Sequence, residues 1–256
     1  DFKINLNDNA KKLYFKYLEY SKILFLRNIE QIIKKQYTSH KQSNLESSYY
    51  SKKSINYSEL KIDLSKTAYE VHNQFRAFTF REYQMPSFNS WTILETTITD
   101  EKSQGKPGTI LLENEECFKI STIDYNLFLV KDYYPILWNA SKKNDINTVK
   151  KIIQYIRDIN LPNKNGCNAL IIAVYNGSSD CAEFFLNNGA DPSSKNHKGN
   201  TALMYSIDYY KREKDSKLFQ LLLDYGANLS DIDCHGKNIK NYLIQKSCPE
   251  LNKFLM

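Results

Sequence analysis

The chain has 256 residues, a formal net charge of +6 and 41% hydrophobic residues, which excludes an intrinsically disordered protein and leaves room for two domains. No apolar run approaches the roughly 20 residues that a membrane helix needs, so we expect a soluble protein without membrane contact. Five cysteines without regular spacing indicate a reducing, cytoplasmic location rather than a disulfide framework.

The N-terminal segment opens on Asp1 without an initiator methionine, so we expect the sequence to be part of a longer polypeptide. Alternating apolar residues predict a short strand over residues 2–6, and apolar residues at helical spacing predict two successive helices over about residues 9–33. A polar stretch without periodicity, from Tyr37 to Ser48, indicates a linker.

The next segment is predicted to be α+β. A helix is expected to start at Ser65, with Ala68, Val71 and Phe75 on its inner side. β-Branched and aromatic residues then predict a small antiparallel sheet or barrel. Its four short strands are expected at Trp91–Ile98, Thr109–Leu112, Cys117–Ile123 and Leu127–Val130.

The second half of the sequence repeats itself. Asn168–Ala173 returns as Thr201–Ser206, with Ala169 and Ala202 placed 33 residues apart, and Pro135–Ala140 is an earlier copy. This period is the signature of ankyrin repeats. We therefore predict two domains, an α+β region over 1–130 and an all-α ankyrin stack over 131–256, with about three repeats and a C-terminal cap.

Four segments of the first half resemble a known family when they are taken together. They are Asn9–Tyr14, Val71–Phe78, Phe80–Pro86 and Gly105–Ile110. In order and approximate spacing they are similar to the C-terminal half of folate-dependent formyltransferases, over residues 1 to about 130. The motif Arg-Ala-Phe-x-Phe-x-x-Tyr-Gln resembles the corresponding segment of enzymes that formylate nucleotide-linked amino sugars more than that of enzymes that act on initiator methionyl-tRNA.

The resemblance implies a parent enzyme that transfers a formyl group from N10-formyltetrahydrofolate to a nucleotide-linked, dTDP-type, amino-dideoxy sugar. Such enzymes serve lipopolysaccharide O-antigen synthesis, and their small β region implies a homodimer. The family's catalytic Asn-x-His is absent from this sequence, and its Asp would precede Asn9. We therefore expect no catalytic residue and no activity from these residues alone, with the folate bound by another domain. No metal site is expected, because the sequence contains neither a CxxC nor an HExxH motif.

Candidate substrate-binding residues follow from the helix that starts near Ser65. The spacing of Asn73 and Arg76 places both on its polar face, where a guanidinium can clamp a diphosphate. Phe80 or Tyr83 can stack on a base while Gln84 reaches the edge of that base. In the alternative, these residues have a purely structural role: Arg76 pairs with a carboxylate and the aromatic rings belong to the core.

A tyrosine and a lysine upstream are two further candidates. Tyr50 and Lys52 lie in a predicted strand–turn segment and suit phosphate or sugar binding. In the alternative, they are solvent-exposed surface residues without a ligand. Neither residue type selects one ligand by itself.

The ankyrin half suggests an auxiliary nucleotide-sugar site. Its candidates are Trp138, Tyr175, Tyr205, Tyr209 and Lys142, because aromatic rings beside lysines can hold a nucleotide by stacking and phosphate pairing. Core packing for Trp138, surface exposure for the tyrosines and ordinary protein binding are the alternatives. The histidine that ties neighbouring turns in the usual ankyrin motif is replaced in successive copies, so we expect that tie to be lost.

The sequence leaves two other functions open. A non-catalytic ankyrin adaptor would use the first half only as a folded support. A tRNA-directed formyltransferase would fit the positive charge, but its family carries a larger basic barrel, and the lysines here form only small scattered clusters. A nucleic-acid partner is therefore disfavoured.

Overall fold

A computed structural model describes residues 2–39 and 61–254 of the chain. It divides into two compact units, residues 1–131 and residues 132–256. Among the described helices, none is both long enough and apolar enough to cross a membrane.

The first unit begins with an irregular segment and one long helix. Helix α1 (Ala10–Ile33) starts where the side chain of Asn9 accepts a hydrogen bond from the Lys12 backbone N–H, and none of its residues is buried. The predictions of an initial strand and of two separate helices are both wrong. Residues 10–33 contain neither glycine nor proline, so nothing interrupts the hydrogen-bond ladder of a single helix.

Helix α2 (Ala68–Phe78) carries two of the candidate substrate-binding residues, Asn73 and Arg76. It begins three residues later than predicted, because Thr67 and Glu70 form a reciprocal capping box at its N-terminus. The carboxylate of Asp124 also accepts a hydrogen bond of 2.7 Å from the Ala68 backbone N–H. The start of α2 is therefore fixed both by its own sequence and by a distant loop.

The strands of the first unit form one curled antiparallel sheet, which confirms the predicted fold class. From one edge to the other, the sheet consists of β1 (Ser87–Phe88), β2 (Trp91–Lys102), β5 (Tyr125–Lys131), β4 (Cys117–Ile120) and β3 (Ile110–Glu113). The strand that starts at Cys117 ends three residues earlier than predicted, because the Thr122 hydroxyl donates to the Tyr125 carbonyl in a turn.

The core of the first unit lies between α2 and the sheet. Val71 and Phe75 of α2 pack with Phe118, Leu127 and Leu129 of the sheet, and each of these side chains is at most 2% exposed. Their spacing in α2 is i to i+4, so one side of the helix is committed to the sheet. The opposite side carries the polar residues.

The second unit is all helical, as predicted for ankyrin repeats. Three helix pairs are followed by a single helix and a short 3₁₀ turn over Pro249–Phe254. The helices are α3 (Tyr134–Lys143), α4 (Ile146–Ile152), α5 (Ala169–Asn176), α6 (Ser179–Asn187), α7 (Ala202–Glu213), α8 (Lys217–Asp224) and α9 (Ile239–Lys246). Asn168 and Thr201 occupy the same repeat position and cap α5 and α7 in the same way, which explains the recurring motif.

Tyrosine hydroxyl groups brace the turns of the stack. The Tyr205 hydroxyl accepts a hydrogen bond of 2.8 Å from Asn196 Nδ2. The Tyr242 hydroxyl donates a hydrogen bond of 2.8 Å to Asp233 and accepts one of 3.0 Å from Asn200 Nδ2. Burial of the hydroxyl, together with the nearby Asp233 carboxylate, raises the pKa of Tyr242 to about 12. Tyr242 thus links two successive turns from a position that the sequence analysis did not consider.

Substitution of Gly177 tests the packing of α5 against α7. Gly177 ends α5 at φ +76°, and a Cβ atom there would overlap the Tyr209 ring. We expect Gly177→Ala to lower the free energy of unfolding by about 2–5 kcal/mol, from left-handed strain plus overpacking. Urea unfolding followed by circular dichroism measures this.

Gly226→Ala is the matched control. Gly226 has φ +81° and nothing within 4 Å of the added Cβ, so only the backbone strain of about 1–2 kcal/mol applies. Equal losses in the two variants would contradict the contact with Tyr209.

Candidate functional site

The polar side of α2 carries the residues that the sequence singled out. Tyr69 is 54% exposed, whereas Asn73 and Arg76 are only partly exposed beside the buried Val71 and Phe75. The packing of α2 against the sheet therefore leaves Asn73 and Arg76 half-buried at the edge of the core. Such a position removes water from a guanidinium without placing it in the interior.

Buried polar atoms without a hydrogen-bond partner gather among these candidates. Within the described part of the chain they include Nε and Nη1 of Arg76, Oδ1 of Asn73 and Oε1 of Gln84. A buried polar group that stays unpaired costs free energy, so such groups in a folded protein call for an explanation. Among the described residues, no carboxylate accepts a hydrogen bond from either of these two nitrogens of Arg76, in contrast to the alternative in which Arg76 pairs with an acid.

Arg76 opens into a cleft of about 310 Å³. The walls come from the N-terminal segment, the first turn of α1, α2 and β2, and they include Asn7, Lys12, His72, Glu95 and Thr96. This volume lies at the lower end of the range for small-molecule sites. Lysine, arginine, amide and hydroxyl groups in one cleft suit an anionic, hydroxyl-rich ligand.

His72 forms the floor of the cleft and is only 6% exposed. Its Nδ1 lies 2.6 Å from the Thr96 hydroxyl, and it also hydrogen-bonds to the Leu6 backbone. Burial lowers the pKa of His72, and the positive charge of Arg76 lowers it further. His72 is therefore a neutral packing residue, and it joins the N-terminal segment to β2.

The turn that follows α2 holds the remaining candidates. Phe80 and Gln84 pair through their backbones, with N···O distances of 3.0 and 2.7 Å. The Phe80 ring packs between Tyr14 at 5.7 Å and Tyr83 at 4.7 Å. Tyr83 is 78% exposed, so its outer face is open for stacking, whereas Phe80 acts as its support.

Some residues of the cleft escaped the sequence analysis, and two predicted residues cannot be placed. Tyr50 and Lys52 lie outside the described residues. Lys12 and Thr96 line the cleft but were not predicted. The motif that begins at Asn9 marks this region, but no local pattern reveals that α1, α2 and β2 line one cleft.

The ankyrin candidates fall into two groups. Tyr175 and Tyr205 meet edge to face at 5.4 Å, and Tyr209 lies against Gly177 at the end of α5. Arg212, which the sequence analysis missed, lies 5.5 Å from the centre of the Tyr175 ring and donates to the Tyr175 carbonyl at 2.7 Å. The structure thus gathers three tyrosines and one guanidinium on α5 and α7.

The other two ankyrin candidates lie on α3. Trp138 is partly buried and its ring lies 6.0 Å from that of Tyr134, whereas Lys142 is exposed in the last turn of the helix. Burial raises the pKa of both Tyr205 and Tyr209, which keeps their hydroxyl groups neutral. The tyrosines therefore present uncharged aromatic surface.

Two regions of the chain match known protein families. Residues 54–132 match the formyl transferase C-terminal domain, and residues 137–233 match ankyrin repeats in three copies. The chain therefore combines a formyl transferase C-terminal domain with ankyrin repeats, which confirms the combination predicted from the sequence. Arg76, Phe80, Tyr83 and Gln84 lie inside the first match.

The curated relatives share the ankyrin half. Ankyrin repeat protein L371 of Acanthamoeba polyphaga mimivirus is 31% identical over 117 residues, which is 46% of this chain and 15% of the relative. Ankyrin repeat protein L86 of the same virus is 30% identical over 144 residues, or 48% and 25% of the two chains. This chain thus spans a quarter or less of these relatives.

Two solved structures are similar to half of the chain. The N-formyltransferase of Helicobacter canadensis, in complex with folinic acid and dTDP-3-aminofucose, is 45% identical with a TM-score of 0.45 over 51% of this chain and 48% of its own. The sugar 3N-formyl transferase WlaRD, solved with dTDP and 5-N-formyl-THF, is 41% identical with a TM-score of 0.45, over 51% and 46%. The chain spans about half the length of each.

Titration of His72 tests the geometry of the cleft. Arg76→Gln removes a nearby positive charge, so we expect the pKa of His72 to rise toward its ordinary value of 6.5. Because folding depresses this pKa, the neutral ring stabilises the fold above about pH 6.5, and that contribution is lost as the pH falls. NMR titration of the ring protons measures the pKa.

Arg27→Gln removes the same charge from the exposed part of α1 and serves as the control. It is expected to leave the His72 titration unchanged. An equal rise in both variants, or no rise in Arg76→Gln, would contradict the proximity of Arg76 to His72.

Proposed function

We propose that this chain supplies the acceptor-side wall of an enzyme that transfers a formyl group from N10-formyltetrahydrofolate to the amino group of a nucleotide-linked amino sugar. The observation that carries the proposal is Arg76, whose Nε and Nη1 are buried without a partner at the edge of a polar cleft. The match of residues 54–132 to a formyl transferase C-terminal domain supports the reaction class.

The arrangement around Arg76 suits a nucleoside diphosphate. Parallel N–H groups of a guanidinium match phosphate oxygens in a bidentate manner, which neutral side chains cannot reproduce. The exposed ring of Tyr83, supported by Phe80, offers a stacking surface for a base such as thymine, and Oε1 of Gln84 can accept from its imide N–H. Asn73 adds an acceptor for a sugar hydroxyl group.

The formyl transfer step itself is assigned to residues outside this chain. A neutral amine must attack the formyl carbon, and the resulting oxyanion needs hydrogen-bond donors. The sequence lacks the Asn-x-His of the family, and His72 is committed to Thr96 and to the Leu6 backbone. We therefore propose that the folate binds to another domain and that this chain alone is inactive.

The small sheet supports the proposal of a homodimer. Edge strand β3 exposes all four of its residues, including Ile110, Leu111 and Leu112 at 39%, 45% and 44%. An apolar edge strand invites pairing, and an antiparallel edge can pair with its own copy across a twofold axis. We place the dimeric enzyme in the cytoplasm, where it would supply formylated sugars for lipopolysaccharide O-antigen.

The ankyrin repeats are proposed to hold a second nucleotide sugar. Tyr175, Tyr205 and Tyr209 offer aromatic surface for a base, and Arg212 lies beside the Tyr175 ring. Trp138 and Lys142 on α3 would complete the site from the first repeat. Such an auxiliary site would report the supply of substrate to the enzyme rather than take part in formyl transfer.

Substitution of Arg76 tests the acceptor site. We expect Arg76→Gln to weaken the binding of dTDP in the cleft at least tenfold, because two charge-assisted hydrogen bonds to phosphate are lost. Isothermal titration calorimetry measures the dissociation constant. Arg27→Gln, with the same loss of charge on the exposed part of α1, should bind dTDP as the unmodified chain does.

Unchanged binding in Arg76→Gln would refute the proposed acceptor site and leave the ankyrin adaptor as the better interpretation. Filter binding with tRNA at two salt concentrations separates the tRNA-directed alternative, because phosphate-driven affinity falls steeply with salt.

Substitution of Tyr175 tests the auxiliary site. The unmodified chain is expected to bind two equivalents of dTDP, and Tyr175→Ala to bind one, since the loss of a stacked ring weakens binding about tenfold or more. Tyr225→Ala is the control, because Tyr225 is also an exposed tyrosine of this unit, at 39%. A single equivalent in the unmodified chain, or equal losses in both variants, would end the auxiliary-site proposal.

A further inference from the structure

The cleft of Arg76 contains a second cation, which comes from a different helix. Lys12 of α1 lines the cleft together with Arg76 of α2. Its neighbours Lys11 and Lys16 form ion pairs with Glu82 and Asp8. The Lys12 ammonium instead has a weak hydrogen bond of 3.4 Å to the Asn7 carbonyl, in the same cleft.

The electrostatics of the cleft favour an anion. Among the described residues that line it, Lys12 and Arg76 are cations and Glu95 is the single acid, while His72 is held neutral by burial. Two like charges that face a shared cavity repel each other, and a dianion between them relieves that repulsion. One diphosphate carries enough charge and enough oxygen atoms to meet both side chains.

The attachment of α1 to the rest of the unit is weak. The helix has 24 residues and none is buried. Its contacts with the turn that follows α2 include the Lys11–Glu82 ion pair and the Tyr14–Phe80 ring contact, and both lie in the first half of α1. A largely exposed helix of this kind opens locally at small cost in free energy.

We propose that Lys12 and Arg76 hold one diphosphate between them, and that the bound diphosphate clamps the first turns of α1 onto α2. This inference rests on the proposed nucleotide-sugar site and adds Lys12 to it. The ligand would then act as a bridge between two elements that share few contacts of their own. Binding of the diphosphate and the ordering of α1 are therefore thermodynamically coupled, so that each can be measured to detect the other.

The test uses inorganic pyrophosphate and the full chain. Calorimetry measures affinity, and amide hydrogen exchange measures the opening of residues 10–18. At pyrophosphate concentrations ten times the dissociation constant, exchange in these residues should slow about tenfold if opening releases the ligand. Lys12→Gln should weaken binding about three- to tenfold and abolish the slowing, since one exposed charge contact is lost.

Lys22→Gln is the matched control, with the same charge change on an exposed residue of the same helix. It should leave both measurements unchanged. If Arg76→Gln weakens pyrophosphate binding and Lys12→Gln does not, the bridge is refuted while the proposed function stands. If Arg76→Gln has no effect, the proposed site itself fails. Tight binding without slower exchange in residues 10–18 would also overturn the clamp.

Discussion

The packing of α2 against the sheet is the constraint on which the first unit depends. Val71 and Phe75 are at most 2% exposed against Phe118, Leu127 and Leu129, and complete burial of one such side chain stabilises a fold by roughly 1.5–3 kcal/mol. This contact fixes the rotation of α2 about its axis. Arg76 and Asn73 are therefore held at the edge of the core, where their polar atoms lose water without gaining a partner.

That arrangement explains how a candidate binding site and a stable core can share one short helix. Folding offsets the cost of unpaired groups on Arg76, Asn73 and Gln84 with the apolar contacts on the other side of α2. A ligand that supplies the missing partners recovers the lost hydrogen bonds. The buried, neutral His72 keeps the floor of the cleft uncharged and ties the N-terminal segment to β2 through Thr96.

The ankyrin unit depends on a different kind of constraint, because its repeats must hold their turns in register. Here Tyr205 and Tyr242 brace these turns through Asn196, Asn200 and Asp233. The same residue type thus serves two purposes in one scaffold. Tyr205 uses its hydroxyl group for the turn while the edge of its ring meets Tyr175, which places structural and candidate binding roles on one side chain.

The sequence by itself determined the features that local periodicity encodes. The 33-residue repeat, helix α2 and the antiparallel strands were all predictable, because apolar spacing and capping residues act within a few positions of one another. The place of Arg76 on the polar side of α2 was predictable for the same reason. Only the tertiary structure decided that α1 is one exposed helix and that Lys12 and Arg76 line a shared cleft. Contacts between distant segments leave no periodic trace along the chain, since they depend on how elements pack and not on how each one forms.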